Sequence, residues 1–411
     1  MRSPSPAEDA RNLLLIAGSA FAAVVATIGL GEASLAFAPA HVGGPVPLAN
    51  PSYTLVEPLS GSNRVYGTVA TRDGRTHEGF LRWDRNEGSW SDVLDLTKLD
   101  RGFTGLSGIR FGHVRHIRPV GGNQALFILR SGQHVGMRGH STDLGRAMRD
   151  LKVTDLSNDV TSLQWNDISL VSLMPAPPGA TPAGSRLHGT LKTTSGFRFT
   201  GYITWDVDEI YSTDLLDGRN AEFRYEIPFG AVDRIHREDR RSARVRLHSG
   251  ETLTLSGTND VNRENRGITV SDPGLGQVKV QWDNLAFVRF HGTDSEASWN
   301  DFDGGRQLRG TVITVSGDEL SGEITWDQDE YQSWEMLNGK VRGAELDIEF
   351  SNIARIVRYE YGSAVVLRDG RSLSLNGSND VDTGNRGIVV TSGGESHTVK
   401  WADFRELRLD G

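Results

Sequence analysis

The chain has 411 residues, is 37% hydrophobic and 24% charged, and carries a formal net charge of -9. That length exceeds one ordinary core, and the composition is that of a globular protein with many turns, given 48 glycines. Lys and Arg are interspersed with Asp and Glu, which excludes a basic nucleic-acid-binding tract. The absence of cysteine excludes disulfides, thiolate metal sites, a cysteine nucleophile and a lipidated N-terminal cysteine.

The chain opens with a short polar stretch, MRSPSPAEDAR, followed by residues 12–31 with no charged side chain and then ASLAFAPA. This is the order of an export signal, with Ala36-Phe37-Ala38 as the small-residue site. Pro39 disfavours cleavage at that bond, and the apolar run is long enough to span a bilayer. Residues 1–38 are therefore expected to be a signal peptide or a membrane anchor. The expected location is exported: periplasmic, membrane-anchored or secreted. Membrane contact is expected only through residues 12–31, if they are retained.

Residues 39–62 read as a linker. Beyond them the sequence repeats. YGTVATRDGRTHEGFLRWDRNE (66–87), HGTLKTTSGFRFTGYITWDVDE (188–209) and RGTVITVSGDELSGEITWDQDE (309–330) align without a gap. The expected repeats are 63–174, 186–291 and 307–411. A Pro/Gly-rich linker (175–185) and an acidic linker (292–306) would separate them, giving a short rod.

Each repeat has two halves. ARVRLHSGETLTLSG (243–257) matches AVVLRDGRSLSLNG (364–377) and, more loosely, ALFILRSGQHVGMRG (125–139). All alternate apolar and polar residues around a glycine turn, which predicts hairpins. Every half ends on an aromatic residue with apolar residues three and six positions later: Phe111, Phe229 and Phe350 in first halves, Trp165, Trp282 and Trp401 in second halves. That spacing predicts one 3-10 turn between two strands. The strand and turn order resembles the SH3-like or Sm-like small barrel. The expected fold is all-β: three tandem repeats, each a pair of such barrels, after an N-terminal hydrophobic helix. The resemblance implies no particular function. STDLGRAMRDLK (141–152) is the one ambiguous segment.

Three sets of residues could carry chemistry. The first is acidic. Asp84, Asp206 and Asp327 follow the aligned tryptophans; Asp208 and Asp329 come next, then Glu87, Glu209 and Glu330, and then Asp214 and Glu335, aligned with Asp92. Strand alternation would place Asp206 and Asp208 on one solvent face. Such a surface could bind a partner, or a Ca2+ ion through converging oxygens. It could equally be a solubilising face with ordinary hairpin turns. No D-x-D-x-D-G loop is present, and no cofactor is expected.

The second set is a polar loop, GTNDVNRENRGITV (257–270), repeated as GSNDVDTGNRGIVV (377–390). Asp260 and Asp380 stand six residues before Arg266 and Arg386, and copy one keeps Asp143 and Arg149. An Asp–Arg pair would clamp the base of a hairpin loop, with Gly267 and Gly387 at positive φ. The third set is tryptophan. Trp83, Trp205, Trp326, Trp165, Trp282 and Trp401 recur and predict core; Trp299 and Trp334 lie in acidic loops and predict exposed contacts.

Catalytic signatures are absent: there is no HExxH, no G-x-S-x-G and no phosphate-binding glycine loop. The sequence reading is a non-catalytic binding or scaffolding module whose partner is an envelope protein or glycan. A Ca2+-assisted carbohydrate- or wall-binding protein is the alternative. A hydrolase using paired carboxylates is the third reading.

Overall fold

The computed structural model describes residues 63–99, 106–293 and 296–411. The expected N-terminal signal or anchor, its linker and the apolar run lie outside the described residues. Among the described residues, no helix is long and apolar enough to cross a membrane. The described fold is all-β, with antiparallel strands in three sheets.

Repeat one contributes β1 (Tyr66–Thr71), β2 (Thr76–Trp83), β3 (Val93–Lys98), β4 (Leu106–Arg110), β5 (Val114–Gly121), β6 (Gln124–Leu129), β7 (His134–Gly139), β8 (Leu151–Thr154), β9 (Val160–Leu163) and β10 (Ile168–Leu173). In β1 and β6 buried residues alternate with half-buried ones, as the apolar–polar pattern dictates. All six predicted 3-10 turns form, at Phe111–His113, Trp165–Asp167, Phe229–Ala231, Trp282–Asn284, Phe350–Asn352 and Trp401–Asp403. The ambiguous segment 141–152 is turn and bend leading into β8, with Leu144 and Met148 buried.

The strand order in repeat one is β4-β3-β7-β6-β5-β10-β1-β2-β8-β9; repeat two follows it with its equivalent strands, whereas in repeat three the hairpin equivalent to β3–β4 joins the edge of repeat two's sheet. This order corrects the expectation of six separate small barrels. Strand β5 does not close onto β1; it pairs with β6 and β10, while β1 pairs with β10 and β2. Strand β2 continues into β8, and β3 into β7. Each half thus gives its first hairpin to the other half's later strands, and the sheets stay open. The reason lies in the core. Trp83, Phe111, Phe127 and Trp165, drawn from both halves, share one apolar cluster, so neither half buries its aromatics alone.

Two glycines in every repeat make the crossing possible. A Cβ on Gly67 would lie 2.2 Å from the Ser172 carbonyl oxygen, and Gly189 and Gly310 face Arg289 and Arg408 in the same way. Gly79, Gly201 and Gly322 are pressed against the β8-type strand to a similar degree. Any side chain there would force these strands apart.

The rod expectation is also corrected, because repeat three contacts repeat one. Strand β19 (Gly276–Val280), the last hairpin strand of repeat two, pairs with β24 (Ala344–Glu349) of repeat three. The acidic linker folds back onto repeat one. Phe302 and Trp334 join that repeat's apolar cluster, and Arg130 lies 4.0 Å above the Trp299 ring. Trp334 is fully buried rather than exposed, and Trp299 packs against the same cluster. Acidic neighbours misled the sequence reading: the charges flank a hydrophobic anchor. The six recurrent tryptophans are core, as expected.

Candidate functional site

The Trp-Asp-x-x-Glu segment after β2 and its equivalents is a tight reversal, not a strand end. Asp84 and Arg85 have φ of 42 and 73°, Asp206 and Val207 of 47 and 59°, Asp327 and Gln328 of 43 and 69°. Asp tolerates this left-handed region, whereas Val207 is strained in it. The turn removes Asp206 from the solvent face that alternation assigned to it. Asp84, Asp206 and Asp327 are all fully buried.

Their partners are the arginines of the repeated loop. Asp327 accepts from Arg386 Nε at 3.0 Å and Nη2 at 2.7 Å, and from the Arg386 backbone N–H. Asp206 accepts from Arg266 Nε at 3.2 Å and Nη2 at 2.8 Å. Asp84 accepts from the Arg149 backbone N–H at 2.5 Å and from its Nε at 3.3 Å. Thr142, Asn259 and Asn379 add a further donor to the same aspartates. Asp208 and Asp329 complete the clamp by accepting from Arg266 and Arg386; Asp208 also pairs with Arg149 of repeat one at 3.3 Å.

The expected clamp within the loop is therefore corrected. Asp143, Asp260 and Asp380 do not hold Arg149, Arg266 and Arg386. Their carboxylates accept the backbone N–H groups of Asp95, Asp217 and Asn338, each at 2.6 Å. Their carbonyls accept from the indoles of Trp83, Trp205 and Trp326. The loop does not close a hairpin either: β17 (Thr252–Ser256) pairs with β16 (Ser242–Leu247), whereas β18 (Ile268–Asp272) pairs with β12 (Arg198–Thr204) and β19. Gly267 and Gly387 have the expected positive φ, at 124 and 113°.

Asp92, Asp214 and Glu335 share another task. Each accepts two backbone N–H groups in its own turn. Each also binds a cation of another repeat: Asp92 pairs with Arg186 at 3.0 Å, Asp214 with Arg82 at 2.8 Å, and Glu335 with Lys98. Sequence reading missed these cations: Arg82 and Lys98 do not recur at equivalent positions, and Arg186, which recurs as Arg64, lies just before the aligned blocks. It missed Arg110 too, which is buried against Glu349 at 3.2 Å and donates to the Asp272 and Pro273 carbonyls. Burial opposes ionisation of Glu349, but Arg110 and His113 outweigh it and hold the carboxyl down at about 2.

Glu87, Glu209 and Glu330 end the turns. Their Oε2 atoms are buried and make no hydrogen bond. Burial and the neighbouring aspartates push Glu87 and Glu330 well above the usual carboxylate range and Glu209 up to about 10. Burial likewise raises Asp143, Asp260 and Asp380 to about 7. A raised carboxyl means that the folded state binds more protons than the unfolded chain above roughly pH 4, so stability falls as pH rises through 7. The melting midpoint of the protein is expected to be higher at pH 5.5 than at pH 8.0. Equal midpoints, or the reverse order, would refute this account of the acids.

Asp206, Asp208 and Glu209 place carboxylate oxygens within 4.8 Å of one another, as do Asp327, Asp329 and Glu330. These are the groups that the Ca2+ reading pointed to. In both, the guanidinium of the loop arginine already lies between the two aspartates. Comparison with protein-family models, with curated proteins and with solved structures finds no match to this chain.

Proposed function

We propose that the chain is an exported, non-catalytic binding or scaffolding module of the cell envelope, presenting three mutually braced repeats. The observation that supports this most directly is the use made of the repeated polar motif. Its acids and arginines bond to each other, to backbone and to neighbouring repeats, which suits a rigid support rather than reacting groups. The N-terminal apolar run supports export. The strand order supports reading each repeat as two SH3-like units that have exchanged their later strands. Fractionation of the producing cells, with the N-terminal residue of the recovered protein identified, tests location. Recovery of the full chain in the cytosol, starting at Met1, would overturn it.

The alternative, a Ca2+-assisted glycan- or wall-binding protein, draws on the two acidic trios. A Ca2+ ion there would have to displace an arginine from a buried aspartate, which leaves the guanidinium unpaired. The parent protein is therefore expected to melt at the same temperature in millimolar Ca2+ and in EDTA. A rise of several degrees with Ca2+ would restore the metal reading.

A further inference from the structure

No run of the sequence is basic, yet the strand pairing of repeat two assembles a basic face. Its sheet contains β17-β16-β15-β20-β11-β12 in that order, where β11 spans His188–Thr193, β15 Val232–Arg237 and β20 Leu285–Phe290. The register places Arg246 and Arg289 directly opposite Arg234, one on each side. Two residues along, a second row reads Arg244, His236, Phe287, Lys192 and Arg198. Between the rows, Val245, Ile235, Val288, Leu191 and Phe199 are buried, so by strand alternation both rows face outward.

Like charges directly opposite one another on paired strands repel, and little in this face offsets them. Arg246 and Arg289 share one carboxylate, Asp233, at 3.7 and 3.8 Å, and Arg244 pairs with Glu238. All three of these arginines are more than half exposed. Arg198 and Arg234 instead lie by the Phe287 ring, at 5.7 and 5.1 Å from its centroid. Among the described residues, no carboxylate pairs with Arg198, Arg234 or Lys192. The excess is particular to repeat two. Repeat one has Ile128, His116 and Ser172 in place of the arginine row. Repeat three has Val366, Arg355 and Arg408, and there Glu406 pairs with both arginines.

We infer that this outer face of repeat two binds an acidic polysaccharide. Arginine presents a planar fork that matches a carboxylate, and five of the six cations in the two rows are arginines. The row of three spans about 10 Å across adjacent strands, so one chain can meet several of them, and linked weak contacts reinforce one another. Exposed threonines flank the rows, Thr252 and Thr254 on β17 and Thr200 on β12, and supply hydroxyls for sugar. A membrane-docking face would add exposed Leu, Phe or Trp, and none of the exposed large hydrophobic residues belongs to these rows. Single-stranded bases need an open aromatic ring, whereas Phe287 is half-buried and flanked by Arg198, Arg234 and His236. The inference deepens the binding-module reading and rests on it, yet titration and cell fractionation are separate measurements, so either can fail alone.

The test is calorimetric titration of the protein with hexagalacturonate, neutral maltohexaose, oligothymidylate and phosphatidylglycerol vesicles. Hexagalacturonate is expected to bind in the millimolar range or tighter at about 20 mM NaCl, and about fivefold more weakly at about 200 mM. Maltohexaose, which lacks the charge, is expected to give no heat. Arg246→Gln with Arg289→Gln removes two exposed charges from the row and should weaken hexagalacturonate by about fivefold or more. Arg115→Gln with Arg405→Gln takes the same charge from exposed positions of repeats one and three and should bind as the parent does. Lys192→Gln with Arg198→Gln is the second test pair, should the first melt early. No heat from hexagalacturonate with the parent protein would overturn the inference. So would equal binding of maltohexaose, tighter binding of the oligonucleotide or the vesicles, or a folded test pair that loses no more than the control pair.

Discussion

Asp327→Ala is expected to lower stability by about 3–5 kcal/mol, the usual loss when one partner of a buried, hydrogen-bonded charge pair is removed. The Asp327 side chain is fully buried and meets Arg386 through its guanidinium and its backbone N–H. It also accepts from the Asn379 amide. The substitution takes this acceptor from the Arg386 backbone N–H and the Asn379 amide and leaves the guanidinium its contact with Asp329, in a turn that holds the repeated loop against β22 (Glu319–Thr325). Asp329→Ala touches the same arginine from a more exposed position, and about 1 kcal/mol or less is expected. Chemical denaturation of both variants decides the matter. Equal losses would mean that Asp327 is not the base of the clamp.

Arg186→Ala should be comparably damaging, again by about 3–5 kcal/mol. This side chain is fully buried and forks onto Asp92, with Nη2 to Oδ1 at 3.0 Å and Nε to Oδ2 at 3.3 Å. It also donates to the Ile203 and Ile210 carbonyls and to Thr204. Alanine leaves Asp92 charged and buried without a counter-ion, with only the Gly88 and Ser89 backbone N–H groups and the Ser271 hydroxyl as donors. Adding Asp92→Asn removes the stranded charge, so the double variant is expected to recover part of the loss. A double variant no more stable than Arg186→Ala alone would show that packing of the arginine, not the charge pair, holds repeats one and two together.

Much of the fold was legible because the chain states it three times. The recurring tryptophans could only be core, and the aromatic residues followed by apolar residues three and six positions on marked all six 3-10 turns. What could not be read was which strand pairs with which. Alternation says which face of β1 is buried, but it is equally satisfied by β5 or by β10 as neighbour. The clamp failed for a related reason. Asp380 and Arg386 share a loop, and nearness in sequence suggested their pairing. The true partner, Asp327, lies in a different hairpin and carries the only signal available: an aspartate held after a tryptophan in every copy. The inter-repeat cations Arg82 and Lys98 left no trace, since a lone Arg or Lys resembles any solvated charge, and the recurrence of Arg64 as Arg186 falls just before the aligned blocks. The arginine row Arg234, Arg246 and Arg289 comes from three strands, and no spacing rule joins them.

The strand exchange within each repeat also governs how the chain can be made. Gly67 in β1 lies opposite Leu173 in β10. During synthesis the first hairpin of a repeat must therefore wait, with one edge bare, for roughly one hundred further residues before its neighbour exists, and such distant pairings are slow to form. A fragment ending at Gly121 keeps a complete first half yet lacks every strand that β1, β2, β3 and β5 need beyond their own hairpins. No piece smaller than a whole repeat can complete these pairings. A ribosome stalled midway through one would present an adhesive ribbon rather than a finished small domain.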